Sequence, residues 1–331
     1  MRCLIVSAFV TPDGLGADIR LELETLGHEV RTFAYRRDNL LYKNKGSKEL
    51  YQRWISRSLE REIEEWRPSF VIVLKGGPIG PEMIRRAKRR SDALFLNLFP
   101  DNPLLMIPFD CIEAYDVFFT KERYALRTLE AAGLTNLYYL PLHCSPAIHY
   151  PVTLTPEEAS RYGGAISFVG SHYPYRGRFF QELRGYPVRI WGSGWQKASD
   201  PEVRRMAEGR SVSGRAKLCV YSGSTLSLNH HHPLNDIVGV NIRAFELAGS
   251  GACQVVDWKE ELPSLFRPDE EVIVYRDLSE LRKKLDYYLA HPDEARAIGE
   301  AGLHRALKAH TARHRIEEIL HVVETRFGKR W

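Results

Sequence analysis

The sequence predicts an α/β protein of two doubly wound, Rossmann-like domains facing a cleft. Through the first half, short apolar, β-branched runs alternate with segments of helical spacing, the mark of a parallel sheet with crossover helices. That rhythm breaks over residues 143–164, at Pro146, Pro151, Pro156 and the Gly163–Gly164 pair, and then restarts. The chain has 331 residues, 44% of them hydrophobic, too many for one ordinary domain and comfortable for two.

The elements follow in order. The opening MRCLIVSAF predicts a strand over 3–9, and further apolar runs predict strands over 29–34, 70–74, 93–98, 117–120 and 137–140. Helices are expected between them at 18–26, 49–66, 81–90 and 123–132, the last closed by Gly133 as a C-cap. The proline- and glycine-rich segment 143–164 reads as a linker, which sets a first domain at 1–150 and a second at 151–311. In the second domain, strands are expected at 165–169, 188–191, 225–228, 252–256 and 271–274. Its helices are a segment at 177–184 and one carrying Arg243 and Glu246, ended by Gly249 and Gly251. Three more follow at 279–290, 292–310 and 312–327. Leu281, Leu285, Tyr288 and Leu289, and then Ile316, Ile319, Leu320 and Val323, mark one apolar stripe each.

Bulk properties exclude several classes. A net charge of +5 permits anionic ligands without demanding nucleic acid. Five scattered cysteines without a CxxC pair fit free buried thiols in a reducing compartment. The N-terminal strand is too short and too soon interrupted for a signal peptide, and no apolar run nears the ~20 residues of a membrane span. A cytoplasmic location is the expectation.

The densest signal is GVNIRAFELAGSGACQVVD at 239–257. A helix N-terminus at Asn241–Ile242 offers unpaired N–H groups to a phosphate, and a carboxylate at Glu246 suits sugar hydroxyls. The competing reading is an Arg243–Glu246 surface pair at i,i+3. In VGSHYPYRGR (169–178), Gly170 and Ser171 follow a strand and Arg176 can pair with a diphosphate, or stand as an ordinary exposed arginine. The first loop, TPDGLG (11–16), holds Asp13, Gly14 and Gly16 and is either a binding loop or a tight turn. It lacks the GxGxxG pattern, and KGGPIG (75–80) lacks the Walker pattern, yet both fall at one sheet edge. Asp101 in FPDNP ends the next strand on that edge, as a working carboxylate or as a turn former. The adjacent histidines of NHHHP (229–233) lack an i,i+4 metal spacing and read as a polar loop lining the cleft, with no metal site expected. WGSGW (191–195) offers aromatic surface to a base or sugar, or buried packing.

Together these residues resemble glycosyltransferases of the GT-B fold and, more narrowly, the CgeB-type spore-maturation group of glycosyltransferase-like proteins. The resemblance runs from FVGSHYPYR through IWGSGW, LSLN and NIRAFELAGSG, then LPSLF, EEVIVY, YYLAHPDEARAIGEAG and HTARHR. In the first domain it rests on DGLG…LGHEV, FPDNP and YLPLHCSP. It implies a nucleotide-diphosphate sugar donor, a UDP- or GDP-sugar, with no obligatory metal. It implies a terminal helix within 312–331 that crosses back to the first domain, and Glu246 as the ribose ligand. Arg176 falls near the family's phosphate-pairing basic residue, with Arg243 assisting. The donor set is then Glu246, Arg243, Arg176, Gly170, Ser171, Asn241 and Ile242, with Gly14 and Gly16 from the first loop. Retaining relatives carry two glutamates with seven residues between them, the second at Glu246. Val238 stands at the first position, so a retaining mechanism does not carry over. An inverting one needs a base, for which Asp101 is the first candidate, followed by Asp13 and His231. The expected function is metal-independent transfer of a sugar to an unidentified acceptor. Alternatives are a non-catalytic relative that binds nucleotide-sugar or carbohydrate, and a glycosyltransferase acting on modified DNA. The last would use Arg85, Arg86, Lys88, Arg89 and Arg90, a run that otherwise reads as a solvated helix face.

Overall fold

The apolar runs of the first half become β1 (Arg2–Ser7), β2 (Glu29–Ala34), β3 (Phe70–Leu74), β4 (Leu94–Phe99), β5 (Val117–Thr120) and β6 (Leu137–Tyr139). This is a computed structural model, and it describes residues 1–9, 14–36 and 47–328. The strands form one sheet in the order β2-β1-β3-β4-β5-β6, every pair parallel. Side chains alternate between its faces. Leu4, Val6, Val71 and Val73 meet Ile55 and Leu59 of the Lys48–Trp66 helix and Ile84 of the Pro81–Arg90 helix. Cys3, Ile5, Ile72 and Leu96 point the other way, against Ile19 and Leu23 of the Leu15–Thr25 helix. Ile316, Ile319 and Val323 of the Ala312–Phe327 helix complete that layer.

The second series gives β7 (Gly164–Val169), β8 (Val188–Trp191), β9 (Ser224–Asn229), β10 (Gln254–Asp257) and β11 (Ile273–Tyr275). Their order is β11-β10-β9-β7-β8, again all parallel. The expected α/β class, two doubly wound parallel sheets, is the one observed. In each sheet the first strand lies between its two successors, β1 between β2 and β3, and β7 between β8 and β9. Such a reversal of strand order opens a crevice at the carboxyl ends of the strands, where folds of this kind bind ligands.

The chain divides into a first unit, Met1–Pro141 with Leu234–Gly239 and Ala312–Trp331, and a second, Leu142–Pro233 with Val240–Thr311. The six-residue insertion at 234–239 had no counterpart in the sequence reading. The segment read as a linker also holds structure. Residues Pro156–Tyr162 form a helix whose Thr155 and Glu158 make a capping box, with Pro156 in its first turn. The T-P-E-E pattern at 155–158 is the local signal for this helix. Short helices at Pro201–Met206, Gly214–Ser222 and Leu262–Leu265 were also not anticipated. They are too short for a clear period.

Candidate functional site

In the second unit the chain leaves β7 at Val169 and turns at Gly170, at the switch point. Gly170 N–H donates to the Trp191 carbonyl at 2.8 Å, and Trp195 Nε1 donates to the Gly170 carbonyl at 2.8 Å. A Cβ on Gly170 would lie 2.7 Å from Arg243 Nη2, and one on Gly192, at φ +154°, would lie 2.0 Å from the Gly170 carbonyl oxygen. The glycines of this region thus serve close backbone approach. Trp191 and Trp195 are both buried, so WGSGW is packing and not an exposed aromatic surface.

Arg243 bridges the two strands that flank the switch point. Its Nε donates to the Val169 carbonyl at 2.7 Å and its Nη1 to Asn229 Oδ1 at 3.2 Å. No carboxylate among the described residues forms an ion pair with it. Asn241 caps the Ile242–Gly249 helix, its Oδ1 accepting from Ala244 N–H, and it exchanges hydrogen bonds with the buried Asn229. Ile242 is the first helical residue and packs on the core. Arg176 is buried, not an ordinary exposed arginine; its Nη1 donates to the Ser171 carbonyl at 2.9 Å, and aromatic rings surround it. The Ser171 and Ser193 hydroxyls meet at 3.0 Å.

Glu246 and Arg243 do not pair with each other. Lys217 Nζ donates to Glu246 Oε1 at 3.2 Å, and His149 Nε2 stands 3.7 Å from the same oxygen. Ser145 N–H donates to His149 Nδ1 at 3.0 Å, which assigns the ring proton to Nε2, facing Glu246. Burial, then the charge of Glu246, pushes the Tyr221 hydroxyl far above its ordinary range. The i,i+3 pairing considered from spacing is therefore absent, and the helix turns a carboxylate and a guanidinium to different partners.

The three histidines of the NHHHP loop diverge. His230 lies flat on Phe179 with centroids 4.0 Å apart, and burial pushes its imidazole down to about 4. His232 stands against Tyr173 and Tyr175. His231 is buried, with Nδ1 2.7 Å from Asp257 Oδ1, and its Nε2 finds no hydrogen-bond partner among the described residues. Burial alone raises the Asp257 carboxyl, but His231 beside it, with His230 and Lys259, brings it well below the usual carboxylate range. This is a histidine–carboxylate dyad in the interior, so the polar cleft-lining role expected for the loop does not extend to His231.

In the first unit, Gly14 is the N-cap of the Leu15–Thr25 helix. A Cβ on Gly16 would meet Leu74 Cδ1 at 3.3 Å, a packing constraint. Asp13 lies outside the described residues. Lys75 takes a left-handed φ of +64°, rare for a side-chain-bearing residue. Lys75 Nζ donates to Asp101 Oδ2 at 2.5 Å, and Asn235 Nδ2 donates to Asp101 Oδ1 at 3.1 Å. Glu122 accepts from the backbone N–H groups of Ile237, Val238 and Gly239 at 3.1, 3.0 and 3.2 Å. Lys121 Nζ donates to Asp236 Oδ1 at 2.5 Å. The sequence reading missed Lys217, His149, Lys75, Lys121, Glu122 and Asn235. Their partners are distant in the chain, 115 positions for Lys121 and Asp236, and no local spacing announces them. On the Pro81–Arg90 helix, Arg85, Arg86, Lys88 and Arg90 form ion pairs with Glu82, Glu60, Asp116 and Glu64, so the basic run is largely compensated.

Residues 176–321 match the family model described as "Glycosyl transferase-like". The chain is 24% identical over 266 residues, 76% of its own length, to the spore protein CgeB of Bacillus subtilis (strain 168), of which the match covers 81%. Its fold is similar to that of sucrose-phosphate synthase from Thermosynechococcus elongatus, with a TM-score of 0.71 at 12% identity over 99% of both chains. It is also similar to Anabaena Alr3699/HepE, solved in complex with UDP and glucose, with a TM-score of 0.67 at 10% identity over 98% of this chain and 100% of that one. Among the described residues, no helix is long and apolar enough to cross a membrane.

Proposed function

On the premise of a GT-B fold whose residues 176–321 match the Glycosyl transferase-like family, we propose that the protein transfers a sugar from a nucleotide-diphosphate sugar to an acceptor hydroxyl. The observation that carries this reading is Arg243 and Arg176 at the Gly170 turn of the second unit's switch point, with Glu246 one helical turn from Arg243. In this reading ribose hydroxyls donate to Glu246, which Lys217 and His149 hold in place. The diphosphate lies against Arg243 and Arg176, where each charge-assisted bond contributes about 1.5–3 kcal/mol. The same guanidiniums take up the charge that grows on the leaving diphosphate, so a metal-independent reaction is the expectation. UDP is the first nucleotide to test and GDP the second, because UDP is what HepE holds. Asp101 is the first candidate to accept the acceptor's proton, and Asp13 the second. Five free thiols suit a reducing, cytoplasmic setting.

Isothermal titration with UDP, GDP and dTDP tests the donor assignment, and no binding by any of them at millimolar concentration overturns it. Glu246→Ala is expected to weaken UDP about tenfold, about 1.4 kcal/mol, and unchanged affinity removes Glu246 from the ribose role. A second reading, a non-catalytic binder of nucleotide-sugar, is favoured by Asp101, whose two oxygens already accept from Lys75 and Asn235. Slow release of free sugar from a labelled donor supports the transferase. Binding without turnover on any acceptor supports the second reading.

A further inference from the structure

The residues of the proposed donor site are linked by a chain of contacts. Glu246 and Arg243 lie one turn apart on the Ile242–Gly249 helix. Arg243 packs over the Phe168 ring at 4.9 Å from its centroid, and Arg176 packs over the same ring at 5.4 Å. Arg176 in turn lies 5.2 Å from the Tyr173 ring and 5.5 Å from the Tyr175 ring. The two tyrosines stack with centroids 5.8 Å apart and planes 23° from parallel. His232 stands edge-on to both, at 5.6 and 5.0 Å. Behind this layer His230 is clamped flat on Phe179 and bonded to the Tyr275 hydroxyl at 3.1 Å. Tyr173 nevertheless leaves 45% of its surface exposed.

We propose that Tyr173, flanked by Tyr175 and His232, is the platform on which the donor's hexose ring stacks. This rests on the nucleotide-sugar reading above and extends it to the sugar. The order of chemistries along the second unit is carboxylate, guanidinium, guanidinium, aromatic face. The order of groups in the donor is ribose, two phosphates, hexose. A nucleobase is bonded directly to the ribose, so with the ribose at Glu246 the base cannot reach past both arginines to Tyr173. A hexose must lie there, on the far side of the diphosphate. One face of a pyranose is a row of C–H groups, which packs on the electron-rich face of an aromatic ring as other apolar groups do. The packed rings behind Tyr173 restrict its rotation, so little side-chain entropy is lost when the sugar lands. The His232 imidazole, set against Tyr173 and Tyr175, is the polar group at hand to bond a sugar hydroxyl.

The test compares UDP with UDP-glucose, UDP-galactose and UDP-N-acetylglucosamine by isothermal titration. Tyr173→Ala should leave UDP affinity within about twofold and weaken the UDP-sugar that the wild type prefers by about tenfold. Tyr173→Phe should restore it, because the ring and not the hydroxyl makes the contact. Saturation of the aromatic protons should pass to the hexose C–H protons of the bound donor in the wild type and not in Tyr173→Ala. Transfer to uracil and ribose protons alone would mean that the ring holds the nucleoside, and the proposal falls. It falls too if Tyr173→Ala weakens UDP and UDP-sugar equally, or neither, or if the wild type binds UDP and all three UDP-sugars with one affinity. A wild type that binds no nucleotide overturns the donor reading itself, a distinct result.

Discussion

Arg243 owes its position to neighbours from both flanking strands, the Val169 carbonyl and Asn229, more than to its own helix. A lysine at this position keeps the charge but cannot reach both acceptors while stacking on Phe168. Arg243→Lys is therefore expected to weaken UDP binding about tenfold in titration without changing the fold. Gly170→Ala tests the same point from the opposite side. Its Cβ would meet the mobile end of Arg243 at 2.7 Å and the Phe168 ring at 3.0 Å. Stability should fall by about 1–3 kcal/mol in a thermal melt, and UDP affinity should fall with it as the guanidinium is displaced. Glu246 and Arg243 were legible as candidates because helix, glycine stop and strand follow one another in the chain. Lys217, which holds Glu246, was not legible, because it comes from another helix 29 residues away.

The Pro156–Tyr162 helix shows how a short element is held by its ends. Thr155 and Glu158 cap each other, and Arg215 makes two hydrogen bonds to the Glu158 carboxylate. The Arg215 bonds first, then the Thr155 backbone N–H, hold the Glu158 carboxyl down at about 2 against an ordinary 4.5. A carboxyl depressed in the folded state stabilises above its unfolded value and loses that contribution as pH falls through its folded value. Glu158→Gln should therefore melt at a lower temperature than wild type at pH 7. The gap should narrow between pH 4.5 and about 2 and vanish below. A gap that stays constant over that window would assign the effect to packing and not to charge. The sequence contained the capping box, but a local signal in a proline-rich stretch does not say whether a packed surface awaits the helix.

At the scale of the molecule, the chain passes between its two units four times, at Pro141–Leu142, Pro233–Leu234, Gly239–Val240 and Thr311–Ala312. Residues 234–239 belong to the first unit because the buried Lys121 and Glu122 bind their backbone and Asp236. Glu122→Ala leaves three N–H groups without their acceptor and should cost about 3–5 kcal/mol in urea unfolding, and Glu122→Gln clearly less. Equal loss in both would mean that the carboxylate's acceptor capacity is not what holds the loop. The sequence by itself determined the two parallel sheets, because strands buried on both faces leave short continuous apolar runs and the helices between them leave a 3.6-residue period. It also marked the Gly170 and Ile242–Gly249 segments, whose glycines and caps are local requirements. Only the tertiary structure decided which groups work as sets: Glu246 with Lys217 and His149, Asp101 with Lys75 and Asn235, and Glu122 with the 237–239 backbone. Such sets form between segments whose separation in the chain is arbitrary, so no period or motif records them, and only the packing within each unit brings their members together.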